Sequence, residues 1–197
     1  RGLGDVYKRQ LQVKAGRPVF GVEMKIVDDK GATLPNDGVA YGRLLVRGPW
    51  IIKKYFKSEE SAVDADNWFD TGDISSIDPD GYMAIVDREK DVIKSGGEWI
   101  SSIDLENVIA NHPDVLQTAV VGIPHPKWDE RPLLFIVSNS GNEFDRSELD
   151  DLMLEKFEKW QLPDDVVFLK ELPIGATGKV KKIDLRQEYT DHYMKEA

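Results

Sequence analysis

The stretch DREKDVIKSGGEWI, residues 87–100, is where the chain changes character. Asp87, Arg88, Glu89, Lys90 and Asp91 stand in a row, Lys94 follows, and then come the Gly96–Gly97 pair and Trp99. A run of charge ordinarily reads as solvated surface. The glycines weaken that reading, because a backbone without Cβ atoms turns sharply or approaches a ligand closely, and the indole just beyond can stack on a base or wall a channel.

Upstream of this stretch, from Pro18 to about Asp87, short strand-like runs alternate with turn signals. Val19 to Val27 precedes DDKG, Leu44 to Val46 precedes RGPW, and Ile74 to Ile77 precedes DPDG. Downstream, Ser101 and Asp104 form a capping box, and Leu105, Val108, Ile109 and His112 recur at helical spacing until Pro113. Strand-like runs follow at Ala119–Ile123 and Leu133–Val137. A second helical pattern then carries Leu149, Leu152, Met153, Phe157 and Trp160 on one side, and a third helix is expected over Lys181–Tyr193. The chain thus reads as a leader over residues 1–15, a β-rich part over 16–87 and a small α+β domain over 88–197. RGLGDVYKRQ at the start fits no periodic pattern and reads as a foreign or misread leader at a truncation point.

Composition narrows the function. The 197 residues include 26 basic and 36 acidic ones, a net charge of −10, which argues against a nucleic-acid partner because a phosphate-backbone binder needs a clustered basic face. No apolar run approaches the roughly 20 residues that span a bilayer. The absence of cysteine removes disulfides, thiolate metal sites and thiol nucleophiles. The start also lacks the charged and apolar pattern of an export signal.

Two further motifs accompany the central stretch. In WFDTGD, residues 68–73, an aromatic pair precedes a Thr-Gly turn that presents the Asp73 carboxylate at a strand end, where it can accept two ribose hydroxyls. Alone, Thr-Gly-Asp is ordinary turn chemistry. In PIGATGKVKK, residues 173–182, a Gly and Thr loop presents Lys179, either for a phosphate or carboxylate or as a plain exposed lysine. It is not a nucleoside-triphosphate P-loop, because Pro173 and Val180 stand where that motif needs Gly and Ser or Thr. His112, His125 and His192 are too dispersed for a local metal motif, and Asp150/Asp151 and Asp164/Asp165 read as solvated faces and turns rather than catalytic dyads.

In this order and spacing, the three motifs resemble the adenylate-forming superfamily of acyl-CoA synthetases, luciferases and peptide-synthetase adenylation domains. SGGEWISSIDLEN (95–107), VVGIPHPKWDERPLLFIV (120–137), GPWIIKKYF (48–56) and KWQLPDDVVFL (159–169) look like its fatty acyl-CoA synthetase branch. The likeness runs from Gly16 to about Tyr193. It implies that residues 16–87 are the β-rich end of a large AMP-binding domain and that 88–197 are the small mobile C-terminal domain. It further implies a cytoplasmic ligase, with or without peripheral membrane contact, that joins a fatty acid, ATP and coenzyme A through an acyl-adenylate.

By the same resemblance, Lys179 is the catalytic lysine of adenylation. Asp73 and Arg88 hold the ATP ribose. Lys90 marks the hinge and, with Lys94 and Trp99, closes on the adenylate, while Gly96, Gly97 and Glu98 border the coenzyme A path. The phosphate loop, the Mg2+ site and the acyl tunnel belong to an N-terminal part that no segment here matches, so the chain alone is expected to be inactive and to hold no metal. Two alternatives stay open: a ligase for a non-fatty acid such as an aryl acid, and a noncatalytic binding module.

Overall fold

The computed structural model describes residues 14–196, so the leader expected over 1–15 lies, up to residue 13, outside the described residues. The chain packs as two units that divide between Lys90 and Asp91.

The first unit is built on an antiparallel meander of β1 (Glu23–Val27), β2 (Tyr41–Arg47), β3 (Phe69–Ile77) and β4 (Met83–Arg88). DPDG closes β3 to β4: Gly81 N–H donates to the Asp78 carbonyl at 2.9 Å, and the Asp78 carboxylate accepts the Tyr82 N–H at 2.8 Å. Such aspartate-nucleated turns are why the DPDG signal is legible in sequence. Ile26, Leu44 and Ile77 form a small core with Met24, Leu34, Val46 and Met83 against it. The first strand is shorter than the Val19–Val27 run, and Val19 and Phe20 stand exposed outside it.

WFDTGD runs into the start of β3, so Asp73 lies inside the strand and not at its end. Its DTGD part is a bulge inside β3, where Arg43 pairs with Ile74 but Leu45 pairs with Asp70, leaving residues 71–73 opposite Leu44. The side chains hold the slip: Thr71 Oγ1 donates to the Leu44 carbonyl at 3.1 Å and accepts the Asp73 N–H at 3.2 Å. A bulge re-aims side chains that regular pleating would send to fixed faces.

The second unit contains a five-stranded sheet. β5 (Ile93–Ser95) and β6 (Glu98–Ile100) form a short hairpin, β5 touches the start of β8 (Asp129–Ser138), β7 (Val115–His125) pairs antiparallel with β8, and β9 (Asp165–Phe168) runs parallel to β8. Leu134 and Ile136 of β8 join Val120 of β7 in one core with Ile93, Ile100, Leu105, Ile109, Leu149 and Met153. Leu133, Phe135 and Val137 join Ala119, Val121 and Ile123 in a second core with Leu172, Leu185 and Tyr193. Both faces of the sheet are covered, so the central strand reads as an unbroken apolar run instead of an alternation.

Three helices cover it: α1 (Ser102–Ile109), α2 (Arg146–Leu154) and α3 (Lys182–Glu188). Ser101 caps α1, its Oγ accepting the Asp104 N–H at 3.1 Å. The second and third helices are shorter than their hydrophobic spacing predicts. After α2, extended Glu158 starts a separate 3-10 turn over Lys159–Gln161, so Phe157 and Trp160 lie beyond the helix. After α3, the chain leaves helical geometry at Tyr189 and re-forms a 3-10 turn from Tyr193, whose hydroxyl donates to the Pro132 carbonyl at 2.7 Å. In both places apolar side chains keep reaching the core after the helix has ended, which is why periodicity alone overruns the boundary.

Candidate functional site

In the first unit, Asp73 and Arg88 are opposite each other across β3 and β4. Arg88 Nε lies 2.9 Å from Asp73 Oδ1, with the carboxylate side chain 19% exposed and the guanidinium 58% exposed. That Oδ1 is buried and accepts no hydrogen bond, so the contact is one of charge and not of an aligned N–H. Beside it, Arg43 bridges the Asp70 carboxylate at 2.8 Å and Glu89 at 3.9 Å. A partly exposed carboxylate held next to a cation is suited to accepting hydroxyl hydrogens from a diol such as a ribose. Lys90, the last residue of the unit, is exposed.

In the second unit the charged run leads into the β5–β6 hairpin. Lys94 and Trp99 are cross-strand partners, with Nζ 5.6 Å from the indole centre, and the Lys94 N–H donates to Glu130 Oε2 at 3.0 Å. The hairpin tip is the Gly96–Gly97 pair. Gly96 has φ +61°, its N–H donates to the Trp128 carbonyl at 2.8 Å, and a Cβ there would sit 3.2 Å from the Trp128 ring, so both the backbone conformation and the indole demand glycine.

Next to the tip is a cavity of about 330 Å³ lined by Ser95, Gly96, Glu98, Trp128, Arg131, Trp160 and Asp164. Its size lies at the small end of ordinary ligand pockets. Two half-exposed indoles, Trp128 at 42% and Trp160 at 45%, form apolar walls. Lys127 Nζ lies 4.6 Å over the Trp128 ring. Gly96 and Glu98 were expected beside a ligand path, and the cavity brings both to one place.

Five lining residues are not among the site residues expected from the sequence: Ser95, Trp128, Arg131, Trp160 and Asp164. Asp164, expected on a solvated turn, is exposed at a bend and also receives Arg131 in a bidentate pair, Nε to Oδ2 at 2.7 Å and Nη2 to Oδ1 at 2.6 Å. The available signal was weak: Arg131 is the last of three charges that open β8, the one adjoining its apolar run, and buried charges are found paired. Asp165 likewise is engaged, 2.8 Å from His192 Nε2.

Lys179 stands on a tight hairpin. Gly175 N–H donates to the Lys179 carbonyl at 2.8 Å, Gly178 N–H to the Gly175 carbonyl at 2.9 Å and Lys181 N–H to the Pro173 carbonyl at 2.8 Å. Gly178 has φ +78° with open space around it, so the conformation alone requires glycine. The Lys179 side chain is exposed, and among the described residues no carboxylate lies within ion-pair distance of it. The hairpin base is fastened by Lys182, whose Nζ lies 2.7 Å from Glu106 Oε1 and donates to Ser102 Oγ at 2.8 Å. Glu106 Oε1 also accepts the Val120 N–H at 2.7 Å, tying α1, α3 and β7 together. The structure therefore brings together Asp73 with Arg88, Lys94 with Trp99, and Gly96 with Glu98. Lys179 stands on its own loop in the second unit. Among the described residues no three His, Asp or Glu side chains converge as a metal site would require.

Residues 4–56 match the AMP-binding enzyme family, and residues 104–179 match the AMP-binding enzyme C-terminal domain. The chain is 53% identical over 184 residues to a 3-methylmercaptopropionyl-CoA ligase of Ruegeria lacuscaerulensis, covering 93% of this chain and 34% of that protein. It is 47% identical over 184 residues to a medium-chain-fatty-acid–CoA ligase of Ectopseudomonas oleovorans, with the same two coverages. Among solved structures it is similar to o-succinylbenzoate CoA synthetase from Bacillus subtilis in complex with its acyl-adenylate intermediate, with TM-score 0.79, 31% identity, and coverage of 92% of this chain and 37% of that one. The chain spans about a third of the length of the curated relatives it matches.

Proposed function

As the chain belongs to the AMP-binding enzyme family, we propose that it forms the C-terminal part of an acid–CoA ligase that makes an acyl-adenylate from ATP and transfers the acyl group to coenzyme A. In the first step a carboxylate oxygen attacks the α-phosphorus and pyrophosphate leaves. In the second the coenzyme A sulfur attacks the acyl carbon and AMP leaves.

The observation that carries this reading is Lys179. An exposed ammonium with no carboxylate partner among the described residues, on a hydrogen-bonded hairpin fastened through Lys182, is a cation available to an anion from elsewhere. Set between the substrate carboxylate and the α-phosphate oxygens, it stabilises the charge that builds as the two anions meet. Asp73 with Arg88 is assigned to the ribose, and Lys94 with Trp99 to closure over the adenylate. Gly96 and Glu98, which line the cavity with the two indoles, and Gly97 between them are assigned to the coenzyme A path. Lys90 is assigned to the hinge between the two steps, supported by the division of packing just after it. Mg2+ is assigned to residues outside this chain.

For the acid we propose an aliphatic carboxylate, with fatty acids the leading candidates. Similarity at 53% and 47% identity to relatives named for a thioether propionate and for medium-chain fatty acids supports this choice over an aryl acid.

The test is Lys179→Ala in the full-length enzyme, with the two half-reactions measured separately. Adenylation should fall about 10²- to 10³-fold, the usual loss for one preorganised charge-stabilising contact. Thioester formation from supplied acyl-AMP should stay within a few-fold of normal. Equal loss of both steps would sink the assignment.

A further inference from the structure

Arg131 is 7% exposed, one of the few charged residues buried in this fold. Its guanidinium lines the indole-walled cavity, so a first reading makes it an anion receptor for a ligand there. The hydrogen bonds exclude that reading. A guanidinium has five N–H donors. Nε donates to Asp164 Oδ2 at 2.7 Å, Nη1 to Ser95 Oγ at 3.0 Å and to the Trp160 carbonyl at 2.7 Å, and Nη2 to the Leu162 carbonyl at 3.0 Å and to Asp164 Oδ1 at 2.6 Å. All five are used, and its charge is met by one carboxylate. A phosphate or carboxylate could gain an N–H from Arg131 only by breaking a bond already made in a buried setting.

The five acceptors come from two separate pieces of chain. Ser95 precedes the Gly96 tip, while Trp160, Leu162 and Asp164 follow closely along the stretch from the 3-10 turn to the residue before β9. Of these pieces, β5 meets β8 through the single strand pairing of Ser95 with Asp129, and the Gly96 N–H adds one bond to the Trp128 carbonyl, so few backbone bonds fix the tip. We propose that Arg131 is a positioning residue that locks the Gly96 tip and the Trp160 wall at a fixed separation, setting the width of the cavity without touching its ligand. The ligand part of this inference rests on the coenzyme A assignment above. The locking part does not.

The experiment uses this chain with Arg131→Lys and Ser95→Ala, and reads amide hydrogen exchange together with binding of coenzyme A by titration. Lysine keeps the charge but loses the fork that reaches both segments. Ser95→Ala removes one bond of the five and keeps the chain testable should Arg131→Lys fail to fold. In each variant that folds, exchange at Gly96 and Gln161, whose amides donate to the Trp128 and Glu158 carbonyls, should rise at least tenfold, while exchange at Val120 and Leu134 in the sheet rises much less. Coenzyme A binding should weaken about tenfold in Arg131→Lys, with a smaller loss in Ser95→Ala. A rise shared equally by the sheet amides would overturn the locking role. If the unaltered chain shows no coenzyme A binding, the ligand assignment falls, and the exchange pattern still decides the lock.

Discussion

At the residue scale, the site depends on positions where one chemical feature has no substitute. Gly96 must supply both φ +61° and the space against Trp128, whereas Gly97, at φ +88°, has nothing within 4 Å of a built Cβ. Alanine at either position costs about 1–2 kcal/mol of backbone strain. Only Gly96→Ala should also displace the indole. The expected outcome is similar destabilisation for the two variants in urea melts, with a shift in tryptophan emission for Gly96→Ala alone. The residue scale is also where sequence reading reached furthest and then stopped. Lys179, Asp73, Gly96 and Glu98 announce themselves through local motifs. Trp128, Arg131 and Asp164 do not, because their partners are 29 to 36 residues away for Arg131 alone and no local spacing encodes such a pairing.

At the element scale, the caps and the short hairpin hold what the sheet does not. Ser101 links β6 to α1 and satisfies the Asp104 N–H, one of the orphan donors at the helix start. Ser101→Ala should cost about 1 kcal/mol and lower the melting temperature of the isolated chain by about 4 °C in a thermal scan. Glu106 has a larger task, since its Oε1 serves both the Lys182 ammonium and the Val120 N–H. Glu106→Ala strands a largely buried cation and a strand donor together, and a loss of about 3 kcal/mol is expected in urea denaturation. The same change should loosen the base of the Lys179 hairpin, read as faster exchange at the Gly175 and Lys181 amides. Strand and cap signals were legible here, while the ends of α2 and α3 were not. Phe157 and Tyr193 keep the apolar pattern running after the backbone has left the helix.

At the scale of the whole molecule, several carboxylates are held below their ordinary range. The Ser140 hydroxyl does this to Asp114, the Lys14 ammonium to Asp78 and the Ser147 N–H to Asp145. A carboxyl with a lower pKa folded than unfolded adds stability that is full above the unfolded value and is lost as pH falls through the folded one. Stability should therefore hold from neutral down to about pH 5 and decline toward about pH 3, and Asp114→Asn should flatten that acid limb when urea midpoints are compared across pH. The chain alone should release no pyrophosphate from ATP with a fatty acid, and release above background would refute the proposed division of labour. By itself the sequence determined the change of character around residues 87–100, the runs of β1, β2, β3, β7 and β8, the first helix and the loop lysine, because these rest on turn chemistry, caps and periodicity within a few residues. Only the tertiary structure decided that DTGD is a bulge, that Asp164 is spent on Arg131, and that two indoles and a glycine tip enclose a cavity. Those outcomes depend on which distant segments meet across the sheet, and a buried charge reveals its partner only when the segments have met.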